Sequence, residues 1–303
     1  MVRRLLSNSA VTLSRRVFLG GAGLLCVSDW ARASSEGVQR IVALDWTSAQ
    51  NILSLGMVPF GIPEIDHYRR VVVAPAVPTQ VHELGLRSEP NLELLVSLKP
   101  DLLVFGNDLL PMRERLETIG PTFFFDPDRP RQSNALSNGR QAMEDLAARL
   151  NMAASFEVFI ASFNRDLDVA RQRLHDYDGR PLFVATVLDG RRMLVFGKNS
   201  LFQSVLDRFG IENAWNGFTS RYGHATVNVD RLADRPEARL LCVGNERVVT
   251  MDRLLSAPAI SSLPFVKERR IALIPEVLFY GGLPSARRFA RLASMALASE
   301  GNG

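Results

Sequence analysis

Arg87 is the residue of this chain best suited to hold an anionic ligand. It follows Gly85 in a predicted loop and lies shortly before Pro90, where a helix is predicted to begin. A guanidinium is permanently charged, and its paired N–H groups bind two oxygens at once, which lysine reproduces poorly. An ion pair with Glu83 or Glu89 is the commoner fate of such an arginine, so composition alone favours a structural role.

Motifs that would indicate catalysis are missing from the sequence. It contains no Gly-x-Ser-x-Gly elbow, no complete phosphate loop, no His-Glu-x-x-His and no Cys-x-x-Cys. The four histidines, His67, His82, His175 and His224, show no spacing typical of a metal-ligand pair. We therefore predict neither a catalytic residue nor a protein metal site, and we interpret each histidine as an ordinary structural or surface residue.

The N-terminus has the pattern of an export signal. Residues 14–19 read Ser-Arg-Arg-Val-Phe-Leu, an apolar run extends to about Val27, and residues 31–33 have the small-x-small form of a cleavage site. The paired arginines are typical of twin-arginine signals. The apolar run, of about 11 residues, is shorter than the roughly 20 that a membrane-spanning helix needs. We predict that residues 1–33 are a twin-arginine signal peptide, cleaved after Ala33, and that the mature protein is periplasmic.

Cleavage after Ala33 changes the net charge of the protein. The number of Lys and Arg falls from 36 to 31 and that of Asp and Glu from 32 to 31, so the mature chain is formally neutral. A nucleic-acid-binding domain would carry a basic excess, so this class is disfavoured. Cys26 leaves with the signal, and Cys242 lies in an apolar run, which predicts a small core residue.

Alternating apolar runs and helical patterns predict an α/β lobe over residues 38–140 and a second over residues 178–300. The first lobe has predicted strands at 41–44, 58–62, 101–105 and 122–125, and predicted helices at 47–55, from 90 through 98 and at 113–119. The second has predicted strands at 182–188, 193–196, 239–243 and 271–274, and predicted helices at 200–209 and from about 285.

Residues 135–175 show a helical apolar stripe and no strand pattern. Asn151 is predicted to divide this stretch into a shorter helix and a long one from about Ala153, which would extend roughly 30 Å. We assign residues 141–177 as a helical segment that connects the lobes. A cleft between two such lobes is a common place for a small ligand.

Five segments resemble a known family. They read Ile-Val-Ala-Leu-Asp-Trp at 41–46, Gly-Leu-Arg-Ser-Glu-Pro-Asn-Leu-Glu-Leu-Leu at 85–95, Met-Leu-Val-Phe-Gly-Lys-Asn-Ser-Leu-Phe-Gln at 193–203, Asn-Ala-Trp at 213–215 and Phe-Tyr-Gly at 279–281. Together they resemble the periplasmic ferric-hydroxamate, ferrichrome-type siderophore-binding proteins of ABC importers. The resemblance implies a two-lobed solute-binding fold with a long connecting helix, the helical-backbone metal-receptor type.

The resemblance also implies the ligand and the partners. The ligand would be an iron(III)-hydroxamate siderophore, and the iron would be held by the siderophore, with no protein cofactor. The protein would deliver this complex to the inner-membrane permease of an ABC importer, and we predict that it is monomeric. Glu114 and Asp230 match carboxylates that family members use to meet arginines of the permease.

In this family an arginine at the position of Arg87 contacts hydroxamate oxygens, and aromatic side chains line the cleft. The ligand-binding positions implied here are Arg87, Trp46, Tyr68, Leu109, Leu194, Tyr222, Leu278, Phe279 and Tyr280. Leu109 replaces a tyrosine that donates to the ligand, so that donor is absent unless Tyr68 or another group compensates. Core packing is the favoured interpretation of Phe279.

Two alternatives to a hydroxamate binder stay open on the sequence. The same fold could carry a catecholate siderophore, with Arg192 and Arg221 joining Arg87, or haem, cobalamin or a bare metal ion such as zinc. A periplasmic enzyme that hydrolyses or reduces a siderophore is the second alternative, and no motif supports it.

Overall fold

The computed structural model describes residues 40–129, 134–189, 191–244, 255–256, 258–261 and 263–299. The predicted signal peptide and its cleavage site at Ala33 lie outside these residues. Within the described ranges, no helix is both long enough and apolar enough to cross a bilayer.

The first half of the chain forms a five-stranded parallel sheet with strand order β3-β2-β1-β4-β5. Its strands are β1 Ile41–Ala43, β2 Gly61–Ile62, β3 His82–Glu83, β4 Leu102–Phe105 and β5 Thr122–Phe124. The helices that connect them are α1 Trp46–Ser54, α2 Ile65–Val71, α3 Leu92–Leu98 and α4 Arg113–Glu117, and a 3-10 helix, Asn107–Met112, precedes α4. Parallel strands need such crossovers, which explains the repeated strand and helix pattern of the sequence.

Two long helices follow, α5 Ala135–Arg149 and α6 Ala153–Arg173. Asn134 caps α5, because its side-chain oxygen accepts a hydrogen bond from the Ser137 N–H at 2.9 Å. Asn151 has a φ of 56°, a left-handed conformation that a helix interior does not accept. The break predicted at Asn151 is therefore confirmed, and α6 has 21 residues, close to the predicted length.

The second half of the chain forms a mixed sheet with strand order β10-β9-β6-β7-β8, in which β7 is antiparallel to both of its neighbours. Its strands are β6 Leu182–Val187, β7 Arg192–Phe196, β8 His224–Asn228, β9 Arg239–Val243 and β10 Ile271–Ile274. Its helices are α7 Leu201–Phe209, α8 Pro258–Ser261, α9 Pro264–Lys267 and α10 Leu283–Ser299, with a 3-10 helix at Val229–Asp234.

One continuous hydrophobic core joins the two sheets. It contains Val104 of β4, Phe163 of α6, Val184 of β6, Phe202 of α7 and Phe289 of α10, all of which are buried. Because α6 and α10 pack side by side within this core, they hold the two sheets in a fixed arrangement. The loops at the adjoining edges of the sheets therefore have defined positions.

Most predicted elements are confirmed, and the strands at 239–243 and 271–274 have the predicted bounds. The strand predicted at 58–62 is shorter, because only Gly61 and Ile62 join the sheet. Helices α2, α8 and α9 and strands β3 and β8 were not predicted. Cys242 is confirmed as a buried core residue, and burial raises the pKa of its thiol above the usual value.

Candidate functional site

The loops at the carboxyl edge of the first sheet form one side of a cleft. Because its strands are parallel, the segments that follow β1, β3, β4 and β5 meet at the same edge. The loop before β8 and the segment after β10 complete the cleft, which has a volume of about 220 Å³. It is lined by Asp45, Trp46, Thr47, Arg87, Gly106, Asn107, Asp108, Leu109, Phe125, Asp126, Pro127, Asp128, Tyr222, Leu278 and Tyr280.

Arg87 and Trp46 form a stacked pair in this cleft. The guanidinium carbon of Arg87 lies 3.5 Å from the centroid of the Trp46 ring, which is a favourable cation–π geometry. The Trp46 Nε1 donates to the Pro63 carbonyl at 3.0 Å, and the Arg87 Nε donates to the Glu64 carboxylate at 2.8 Å. The terminal amino groups of Arg87 have no hydrogen-bond partner among the described residues. The stack and the ion pair thus fix the guanidinium and leave its outer donors for a ligand.

The ion-pair partner of Arg87 is Glu64, so the alternative pairing with Glu83 or Glu89 is wrong. The Glu83 carboxylate instead accepts hydrogen bonds from the backbone N–H groups of Glu64, Ile65 and Gly85, at 2.7–2.8 Å. These bonds fix the loop that carries Arg87. Glu64 lies 23 residues from Arg87 in the sequence, and the pairing of β2 with β3 brings the two loops together.

Tyr222 and Tyr280 line the cleft from the side of the second sheet, with their ring centroids 5.4 Å apart in an edge-to-face arrangement. The Tyr280 hydroxyl is 2.6 Å from His224 Nε2. Burial lowers the pKa of His224, while burial and then the charge of Asp128 raise the pKa of Tyr280 to about 12. Both groups are therefore neutral near pH 7, and their hydrogen bond orients the Tyr280 ring.

His224 is a positioning residue that the sequence interpretation missed. We predicted an ordinary structural or surface histidine, because no spacing indicated a role. The structure places it at the start of β8, with its ring 6.5 Å from that of Tyr222 and 5.9 Å from that of Tyr280. Its position two residues after Tyr222 is the one signal that could have indicated this role.

Four carboxyl groups line the cleft, and none of them was predicted. Asp45 caps α1 by accepting from the Ser48 N–H at 2.7 Å, and burial raises its pKa. Asp126 accepts from Asn107 Nδ2 at 2.6 Å and from the Asp128 N–H at 3.1 Å. These two carboxyls have structural partners, so Asp128 and Asp108 are the better candidates for contact with a ligand.

Asp128 is half-buried, and its protonation is linked to stability. Burial first, and then the charge of Asp126, raise its pKa well above the usual range, while Arg221 opposes the shift. The folded state therefore binds this proton more tightly than the unfolded state does. The contribution of Asp128 to stability consequently decreases as the pH rises from about 4 through the folded-state pKa.

Asp128→Asn is expected to raise the unfolding temperature by a few degrees at pH 8 and to change it little at pH 4, because the amide carries no charge to desolvate. Thermal unfolding at pH 4, 6 and 8 measures this. Asp189→Asn is the control, and it should lower the unfolding temperature at pH 8. Hydrogen bonds from Arg191 and Arg192 lower the pKa of Asp189, so its charged form is the one that the fold stabilises. A destabilised Asp128→Asn protein at pH 8 would contradict the expectation.

Six of the nine predicted ligand positions line the cleft: Arg87, Trp46, Leu109, Tyr222, Leu278 and Tyr280. The other three, Tyr68, Leu194 and Phe279, are not among the lining residues. Tyr68 is fully buried and its hydroxyl donates to the Pro75 carbonyl at 3.1 Å, so it does not supply the missing donor. Phe279 packs on Phe196 with a centroid distance of 5.3 Å, in agreement with the favoured interpretation of core packing.

Glu114 and Asp230 are both exposed. Glu114 lies in α4, beside the first sheet, and Asp230 lies in the 3-10 helix that follows β8 of the second sheet. The structure thus places one exposed carboxylate near each sheet. Among the described residues, no group of three or more His, Cys, Asp or Glu side chains is arranged to hold a metal ion.

Comparison with known proteins relates the whole fold to one family. The family described as periplasmic binding protein matches residues 41–278. The chain is 36% identical to the iron(3+)-hydroxamate-binding protein FhuD of Escherichia coli (strain K12) over 288 residues, which cover 94% of this chain and 97% of the relative. It is 25% identical over 183 residues to a probable siderophore-binding lipoprotein, YfiY, of Bacillus subtilis (strain 168), covering 57% of this chain and 52% of the relative.

Among solved structures, the fold is similar to that of the siderophore-binding protein FhuD from Vibrio cholerae, determined with Fe3+-Desferal bound. The TM-score is 0.78 and the sequence identity is 24%, and the match covers 86% of this chain and 98% of the other.

Proposed function

This chain belongs to the periplasmic binding protein family, and we propose that it captures an iron(III)-hydroxamate siderophore and delivers it to the inner-membrane permease of an ABC importer. The iron is held by the siderophore, and the protein contributes a cleft that recognises the outside of the complex. Iron uptake is thus the process that it serves, and the protein performs no chemistry on its ligand.

The observation that carries this proposal is the fixed guanidinium of Arg87. It lies 3.5 Å above Trp46 in a cleft that Tyr222 and Tyr280 also line. Its terminal N–H groups are donors, so they favour a ligand with oxygen acceptors. The oxygens of a hydroxamate are such acceptors, and they share the partial negative charge of the iron complex. Aromatic rings match the apolar outer surface of such a complex. The name of the Escherichia coli relative, an iron(3+)-hydroxamate-binding protein, supports the same ligand class.

The charge of the cleft favours a hydroxamate over a catecholate. A catecholate complex carries several negative charges and needs several cationic partners. Of the three arginines considered, only Arg87 lines the cleft. Arg192 pairs with Asp189 at 2.7 Å and is exposed, and Arg221 donates to the Tyr222 hydroxyl at 2.5 Å. The other ionisable groups that line the cleft are carboxyl and phenol groups, so the cleft offers no cluster of cations for such a ligand.

The export signal and the docking residues belong to the same proposal. Residues 1–33 would direct the folded chain through the twin-arginine route and be removed after Ala33. The mature protein would work in the periplasm as a monomer, with lobes at 38–140 and 178–300 joined by the segment 141–177. Glu114 and Asp230 would then meet basic residues of the permease, and such rim charges raise the association rate more than the affinity.

Fluorescence titration of the mature protein with ferrichrome, ferrioxamine and ferric coprogen tests the ligand class. Trp46 lies in the cleft and Trp215 in the core of the second sheet, so Trp215→Phe leaves Trp46 as the reporter. We expect saturable quenching by at least one ferric hydroxamate and none by the iron-free chelator. Saturation by a ferric catecholate but by no hydroxamate would overturn the proposal, as would a lack of response to all of them.

A further inference from the structure

A second cavity, of about 360 Å³, lies away from the cleft and shares no lining residue with it. It lies between the end of α1 and the Ala74–Pro75 segment on one side and α6 and α10 on the other. Its apolar surface comes from Ala74, Pro75, Phe159, Val169 and Pro284. A volume of this size is within the range of small-ligand sites.

The charged side chains of this cavity are strongly unbalanced. Four arginines line it, namely Arg173, Arg287, Arg288 and Arg291, and Asp166 is the only acid among its described lining residues. Asp166 forms an ion pair with Arg287. No ion pair joins any of the other three arginines to a carboxylate within the described ranges. The cavity therefore has an excess of positive charge.

Arg288 is the buried member of this group, with 9% of its surface exposed. Its Nε donates to the Glu276 carbonyl at 3.3 Å, and its terminal amino groups have no partner among the described residues. Burial first, and then the charge of Arg291, lower the pKa of Arg288. A buried guanidinium with unused donors is costly unless an anion or water satisfies it.

We propose that this cavity binds a small organic anion, whose carboxylate or phosphate oxygens are held by Arg288 and Arg291 and whose apolar part lies against Phe159 and Val169. Paired N–H groups of an arginine match both kinds of oxyanion. The apolar surface beside the arginines distinguishes this ligand from a simple inorganic anion. The site shares no residue with the siderophore cleft, so its test is independent of the test of the proposed function.

Ligand binding to the folded state alone raises the unfolding temperature by mass action. We expect millimolar octanoate and octyl phosphate to raise it by about 2 °C or more, while acetate and inorganic phosphate at the same concentration and ionic strength have much smaller effects. Comparison of the two octyl probes shows which oxyanion is preferred. If inorganic phosphate raised the unfolding temperature as much as octyl phosphate does, the proposed contact of an apolar group with Phe159 and Val169 would be wrong. If no probe raised it, the whole proposal would be wrong.

Arg288→Gln and Arg291→Gln test the two anchoring groups. Calorimetric titration with octanoate should give an affinity reduced about tenfold or more in each variant, as expected for a lost charge-assisted hydrogen bond. Arg291 is exposed, so its variant keeps the test informative if Arg288→Gln does not fold. Arg165→Gln is the matched control, because Arg165 is an exposed arginine of α6 outside the cavity. Undiminished affinity in Arg291→Gln would contradict the proposed site.

Discussion

Arg87→Ala is expected to weaken the binding of a ferric hydroxamate by about 2 kcal/mol or more, which is about 30-fold or more in the dissociation constant. The substitution removes the donors that the stack on Trp46 and the bond to Glu64 hold in place. It also removes the guanidinium partner of the Glu64 carboxylate, and the loss of that compensating charge would add to the effect.

Fluorescence titration of the variant and of two controls measures this effect. Arg87→Lys retains the charge but loses the planar pair of donors and the stack, so its affinity should be intermediate. Arg192→Ala removes an exposed arginine that pairs with Asp189 outside the cleft, and it should leave affinity unchanged. If Arg87→Ala bound as tightly as the unsubstituted protein, Arg87 would not contact the ligand.

Gly223→Ala is expected to cost about 3 kcal/mol or more of folding stability. Gly223 has a φ of 79°, and a Cβ at this position would lie 2.4 Å from the backbone N and Cα of Ser200. Ser200 caps α7, so its backbone cannot move without disturbing the helix. Gly223 also separates Tyr222 from His224, so any shift would move the aromatic side of the cleft.

Gly210→Ala is the matched control for this prediction. Gly210 has nearly the same φ, 77°, but a Cβ there would meet no atom within 4 Å. Gly210→Ala should therefore lower the folding stability only by the backbone strain, about 1–2 kcal/mol. Urea unfolding of both variants gives the difference, and siderophore titration of Gly223→Ala shows whether Tyr222 has moved. Equal destabilisation of the two variants would mean that the loop of Gly223 adjusts without cost.

Long, strongly patterned elements could be predicted from the sequence, and short ones could not. Strand β9 is Arg239 followed by an apolar run of four residues, and β10 is an apolar run of four. The bounds of both strands were predicted correctly. Strand β3 has two residues, both exposed, so no local hydrophobic pattern indicates it. It exists because His82 and Glu83 align with Gly61 and Ile62 of β2, and such alignment is a property of the folded chain.

The predicted side chains of the cleft also separate into those that the sequence identified and those whose position depends on the folded chain. Residue type and family resemblance identified Trp46, Arg87, Tyr222 and Tyr280, which do line the cavity. Tyr68 does not line the cavity, because it is buried and its hydroxyl donates to the Pro75 carbonyl. Residue type indicates what a side chain can donate, but burial decides whether a ligand can reach it.

The sequence by itself determined the α/β class, the helix break at Asn151 and the family, and it singled out Arg87 as the candidate cation of the cleft. Each of these depends on local pattern or on matched segments. Only the tertiary structure decided the partners of those residues. Arg87 pairs with Glu64 across 23 positions, and Tyr280 bonds to His224 across 56. Contacts between distant positions arise when sheet edges and loops are brought together in space, and no local spacing encodes them. The same holds for the arginines of α6 and α10, which become one charged cavity only when the two helices pack.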